Sequence, residues 1–246
     1  MNYSNVLENM NERVSNFNGT IYGFDKELDT LYHALNRYKK SSVLLIGKAG
    51  VGKTALVEKF CQEINEGKVP KRYKDVIIYE LSLNGLISGT RYRGEFEQKV
   101  DELLSDITDD KDIIIFIDEI HNVMNLGNSD INGTISFSET LKPYLARNRI
   151  TIIGATTELE YKKYVRKDSA FDRRFSKIYM SEPSLKTTYD ILKSVKKEYE
   201  DYYGIFLRDN ELKHILAKSI IRRGNNPDKA LDELEEFCYE RSKDNE

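Results

Sequence analysis

The sequence is short of cysteine and histidine, has no charge excess of one sign and carries no long apolar run. Each shortage excludes something. Only two cysteines occur, Cys61 and Cys238. They lie far apart in helical patterns, without a C-x-x-C pair and without histidine at metal-ligand spacing. A disulfide framework and a zinc site are therefore excluded, and the chain reads as reduced and cytoplasmic. His33, His121 and His214 form no ligand pattern and read as structural. The 38 Lys+Arg are opposed by 41 Asp+Glu, a formal net charge of -3. That balance argues against nucleic acid and gives no global pull toward anionic lipid. The basic stretch Lys68 to Lys74 reads as a solvated loop. The longest aliphatic or aromatic run, Ile113 to Ile117, is far short of the roughly 20 residues a membrane span needs. Met1 to Asn16 is polar, which predicts no signal peptide.

What is present is length and alternation. The 246 residues allow one large and one small domain, with a core that needs no disulfides. Five short apolar runs recur: Val43 to Ile46, Val76 to Leu81, Ile113 to Ile117, Ile150 to Ile153 and Lys177 to Met180. Helical stripes lie between them. Leu56, Val57, Phe60 and Ile64 mark one, closed by Gly67 as a C-cap. Phe96, Val100, Leu103, Leu104 and Ile107 mark another. Strands alternating with helices predict an α/β fold, a five-stranded parallel sheet with helices on both faces. After Glu182-Pro183 no further strand is expected. Leu185 to Tyr203, Asp209 to Ile221 and Pro227 to Glu240 read as three helices of a small C-terminal helical domain. The expected division is 1–182 for the large domain, with 1–16 as an N-terminal extension, and 183–246 for the small one.

Gly47-Lys48-Ala49-Gly50-Val51-Gly52-Lys53-Thr54 fits G-x-x-x-x-G-K-[ST]. It follows a predicted strand and opens a predicted helix at Ala55, the context a P-loop requires. Glycines let backbone N–H groups curl around phosphate oxygens, and the helix N-terminus adds partial positive charge. Lys53 is expected to neutralise the β- and γ-phosphates of ATP, and the Thr54 hydroxyl to ligate Mg²⁺. Downstream, the buried run Ile113 to Ile117 delivers Asp118 and Glu119 at its carboxyl end, where ligands bind in open α/β sheets. Asp118 is expected to hold Mg²⁺ through water. Glu119 is expected to activate the attacking water as general base.

With these motifs stand Asn18 to Gly23, Tyr92-Arg93-Gly94-Glu95-Phe96-Glu97, Asp118-Glu119-Ile120-His121, Leu141-Lys142-Pro143, Gly154-Ala155-Thr156-Thr157, Asp172-Arg173-Arg174-Phe175 and Pro227-Asp228-Lys229-Ala230. In this order the chain resembles the first ATPase domain of the ClpA/ClpB/ClpC group of AAA+ unfoldases. The resemblance implies an AAA+ large domain with Ile21, Tyr22 and Gly23 lining the adenine pocket. It implies Thr157 as a sensor of the γ-phosphate, and Arg173 and Arg174 as arginine fingers reaching the ATP of a neighbouring subunit. Lys229 falls in the region of a small-domain sensor, or is a solvated lysine beside a helix start. Tyr92, flanked by Arg91 and Arg93, would face the pore of a hexamer and grip polypeptide.

The resemblance therefore implies a homo-oligomer, a hexamer, acting on a polypeptide substrate. A regulatory chain that co-assembles with a larger Clp protein is a second reading, and a nucleic-acid-remodelling ATPase a third. The family's peptidase-docking loop belongs to a second ring, so no docking motif is expected here. The second pore loop, within Gly127 to Ser136, departs from the family pattern, as do Ser138-Glu139.

Overall fold

A computed structural model of the chain describes residues 5–16, 19–88, 93–108, 110, 112–124 and 137–243. Its centre is a six-stranded sheet in the order β1-β3-β4-β5-β2-β6. The strands are β1 (Leu7–Asn9), β2 (Ser42–Gly47), β3 (Ile77–Leu81), β4 (Ile113–Ile117), β5 (Thr151–Thr156) and β6 (Phe175–Met180). The last five run parallel, as the alternation predicted. The sixth, β1, pairs antiparallel with β3, with Leu7 opposite Leu81. The sheet is therefore larger than the expected five strands. Leu7–Asn9, within the expected extension 1–16, are part of it.

The hydrophobic runs are continuous because both faces of the sheet are covered. On β2, Val43 and Leu45 enter one core, while Leu44 and Ile46 enter the other. On β4, Ile114 and Phe116 face the first core, and Ile115 and Ile117 the second. The first core is closed by α1 (Met10–Ser15), α2 (Asp25–Leu35) and α3 (Lys53–Asn65). In α3, Leu56, Val57, Phe60 and Ile64 are all buried, and Gly67 follows the helix at φ 68°. The second core takes α4 (Leu83–Ile87), α5 (Arg93–Ile107) and α6 (Phe137–Ala146). After β5 come the short α7 (Glu158–Glu160), a π-helical turn over Tyr161–Val165, and α8 (Ser169–Asp172).

β6 ends at Met180, and three helices follow: α9 (Leu185–Tyr203), α10 (Asp209–Ser219) and α11 (Asp228–Lys243). They enclose a core of their own, formed by Leu192, Ile205, Leu207, Leu212, Ile215, Ala230, Leu234 and Cys238. Ser184 caps α9 by accepting from the Thr187 N–H, and Gly204 ends it at φ 63°. Cys61 and Cys238 are both free and buried, in separate cores. Burial pushes their thiols up, to about 12 and about 11.

Candidate nucleotide site

Three parallel strands end side by side, and their carboxyl ends carry the polar groups. β2 leads into the loop 47–52 and α3, β4 into Asp118-Glu119, and β5 into Thr157. Because β5 lies between β4 and β2 in the sheet, these groups border a single cleft of about 1050 Å³. Ala49, Gly50, Gly52, Lys53, Thr54 and Ala55 line it together with Asp118, Glu119 and Thr157. Pro227, Asp228 and Leu231 close it from α11 and the turn before it.

The loop curls because Gly50 and Gly52 adopt φ 76° and 90°, a region that costs any other residue. Both glycines are also crowded. A Cβ on Gly50 would lie 2.6 Å from Cβ of Asp228, and one on Gly52 would lie 2.6 Å from Cζ of Phe24. Asn225 donates to the Ala49 carbonyl at 3.1 Å, and the Asp228 N–H reaches the Gly50 carbonyl at 3.4 Å. The helical domain therefore rests directly on the loop. Val51 is buried beneath it.

Lys53 donates from Nζ to the carbonyls of Gly47 (3.1 Å) and Lys48 (2.9 Å). Burial lowers its proton affinity, opposed by Asp118, Glu160 and Glu119. Thr54 Oγ1 donates to Asp118 Oδ2 at 3.0 Å, and Asp118 Oδ1 accepts the Glu119 N–H at 2.8 Å. Glu119 is exposed and sits at φ 47°, an uncommon conformation for a non-glycine residue. Its Oε2 accepts from Asn122 at 3.3 Å.

The hydroxyl and carboxylate of Thr54 and Asp118 are hard oxygen donors already in contact. That suits Mg²⁺, which is held by one or two carboxylates together with substrate phosphates rather than by a protein cage. Among the described residues no cluster of three or more His, Cys, Asp or Glu forms a cage.

Thr157 caps α7. Its Oγ1 donates to Glu160 Oε2 at 2.6 Å and accepts the Glu160 N–H at 3.3 Å. His121, only 7 % exposed, lies between Thr156 (Oγ1 to Nδ1, 3.2 Å) and Glu160 (Nε2 to Oε1, 3.4 Å). His121, read from the sequence as structural, is buried and stands behind the cleft wall. Glu160 lines the cleft itself and was not singled out. The Thr157-x-x-Glu160 spacing of a capping box is the signal that finds it.

Other expected residues lie elsewhere. The Ile21 N–H donates to Gln62 Oε1 at 3.1 Å, and its side chain lines a separate depression with Arg13, Val14, Asn16 and Glu58. Tyr22 is 50 % exposed. Gly23, at φ 80°, approaches Thr187 of α9. None of the three lines the main cleft. Lys229 pairs with Glu182 at 3.4 Å and is absent from the lining, although its neighbour Asp228 is present. Arg173 is exposed and Arg174 half-buried; neither borders the cleft of its own chain. Arg174 Nε is buried without a hydrogen-bond partner among the described residues. Arg91 and Tyr92 lie outside the described residues. Arg93 opens α5, with its side chain outside them, and 127–136 are outside as well.

A P-loop, an acidic pair after the core strand β4 and a helical lid on the loop define a nucleotide-hydrolysing module. Residues 43–181 match the family model of the ATPase family associated with various cellular activities (AAA), and 184–245 match that of an AAA lid domain. The chain belongs to the AAA family of ATPases, within its Clp-type branch. The chaperone protein ClpB of Mycoplasma genitalium is 41% identical over 235 residues, which is 94% of this chain and 33% of that protein. ClpL of Staphylococcus aureus, a Clp protease ATP-binding subunit, is 41% identical over 87% of this chain and 31% of its own length. Hsp104 in a closed state with ATPγS and FITC casein superimposes with a TM-score of 0.89 at 34% identity. That match covers 98% of this chain and 41% of the Hsp104 chain. This chain thus spans about a third of the ClpB relative. Among the described residues no helix is long and apolar enough to cross a membrane.

Proposed function

We propose that this chain is the ATP-hydrolysing motor module of a Clp-type ring that pulls on polypeptide, with ATP as its nucleotide and Mg²⁺ as its metal. The observation that carries this reading is the gathering of Lys53, Thr54, Asp118, Glu119 and Thr157 around one cleft, with the Arg173–Arg174 pair outside it. Lys53 exchanges the Gly47 and Lys48 carbonyls for phosphate oxygens. Thr54 and Asp118 hold the metal ion, which supplies charge neutralisation of the phosphates when bound. Glu119 leaves Asn122 to take a proton from the attacking water. Arg174, with Arg173 beside it, completes the site of an adjacent copy, where a guanidinium spreads transition-state charge and raises the rate by ~10³–10⁵. Such a shared site requires an oligomer, and a hexamer agrees with the family resemblance.

Asn225 and Asp228 rest on the loop, so a change in what the loop holds displaces the helical domain. In the ring this motion carries Tyr92 along a polypeptide, the role the resemblance gives it. The casein named with Hsp104 supports a polypeptide substrate.

The test uses two variants. Lys53→Ala is expected to lose nucleotide binding in calorimetry. Glu119→Gln is expected to bind ATP and assemble in light scattering without releasing phosphate. Wild-type phosphate release by Glu119→Gln would remove the assigned general base. A chain that remains monomeric with ATP and elutes only with a larger Clp protein would favour the regulatory reading.

A further inference from the structure

We propose that Glu160 is a specificity-determining residue, a built-in anion that competes with the terminal phosphate for Thr157 and so sets the preference between ATP and ADP. The proposal rests on the reading of the cleft as an ATP site and adds a role for a residue outside the P-loop and the acidic pair.

A threonine hydroxyl has a single proton, and here it is committed. Thr157 Oγ1 donates it to Glu160 Oε2 at 2.6 Å, a charge-assisted bond. The same oxygen accepts the Glu160 N–H, and Glu160 Oε2 faces the Thr157 N–H at 3.4 Å. The other carboxylate oxygen is oriented by His121 Nε2 at 3.4 Å. His121 is itself fixed by Thr156 and by stacking on Tyr164. The carboxylate is therefore held in the cleft wall from several sides. It keeps its charge, since the Thr157 hydroxyl, together with His121 and Lys53, holds it below the usual carboxylate range against the effect of burial.

A phosphate placed between Lys53 and Thr157 meets a fixed negative charge, and it receives the Thr157 proton only once Glu160 gives it up. Both effects weigh on the nucleotide that reaches Thr157. ADP lacks the terminal phosphate and escapes most of the penalty. The carboxylate thus lowers the affinity for ATP relative to ADP, and it recaptures the Thr157 hydroxyl once the terminal phosphate has left.

The competing explanation is that Glu160 only caps α7. Glutamine serves equally well at this position of a capping box, so Glu160→Gln keeps the cap and removes the charge. Titration calorimetry with Mg²⁺ and either ATPγS or ADP, on the wild-type chain and on Glu160→Gln, separates the two. Loss of one like charge at this range is expected to tighten ATPγS by about five-fold, with ADP changed by less than about two-fold. Adding Thr157→Val is expected to shrink the difference to the part that like-charge repulsion supplies. Equal shifts for both nucleotides, or none for either, would overturn the proposal and leave Glu160 as a cap. A wild-type chain that binds neither nucleotide would instead remove the reading of the cleft as an ATP site, and this proposal with it.

Discussion

Gly52 shows how a single position ties the phosphate loop to the rest of the chain. Its φ of 90° is one constraint, and the ring edge of Phe24, 2.6 Å from where a Cβ would stand, is a second. Phe24 itself sits at φ 70° before α2 and packs on the first core. A methyl group here must both strain the backbone and displace an aromatic ring. Gly52→Ala is expected to lower stability by about 1–3 kcal/mol and to weaken nucleotide binding by at least about ten-fold. Chemical denaturation and calorimetry read the two effects. Unchanged values in both would mean that the loop tolerates reshaping. The loop was legible in the sequence because all its determinants lie within eight consecutive residues. Asp118-Glu119 was legible because a buried strand precedes it directly. His121 was not. Its partners Thr156 and Glu160 lie more than thirty residues further on, and only the adjacency of β4 and β5 brings them together. For the same reason Ile21 to Gly23 reach the flank formed with Gln62 and Thr187, which no local pattern specifies.

At the scale of elements, the five parallel strands announce themselves through apolar runs, because a two-sided core needs them. The edge strand β1 does not, since Leu7-Glu8-Asn9 is too short to show a period. Its place is fixed by side chains instead. Asn9 accepts from the Asn11 and Glu12 N–H groups and starts α1. Asn11, buried, donates to the Val76 carbonyl at 3.1 Å and accepts the Ile78 N–H at 2.8 Å. Its amide thus takes the place of a neighbouring strand beside β3. Arg13, two residues on, bridges Glu8, Glu58 and Glu80. Asn11→Ala leaves a buried N–H and a buried carbonyl unpaired, so a loss of about 2–4 kcal/mol is expected. Asn11→Asp restores only the acceptor and is expected to recover part of the loss. Equal urea midpoints for wild type and Asn11→Ala would show that water satisfies these groups.

At the scale of the whole molecule, the cleft is lined by the loop, the acidic pair and the helical domain of its own chain, and Arg173 and Arg174 do not border it. Among the described residues Arg173 and Arg174 make no ion pair, and Arg174 Nε is buried without a hydrogen-bond partner. If each site takes its loop from one copy and its guanidinium from the next, two defective chains can repair each other. Lys53→Ala keeps the arginines and loses the loop's cation, whereas Arg174→Ala keeps the cation and loses the finger. Alone, each is expected to release phosphate at a background rate. Mixed in equal amounts and allowed to exchange, one junction in four joins an intact loop to an intact finger. About a quarter of the wild-type rate should then return, on the statistics of a closed ring with identical interfaces. Co-assembly without any recovery would show that the two residues do not serve one site. Full activity of Arg174→Ala alone would show that each chain completes its own.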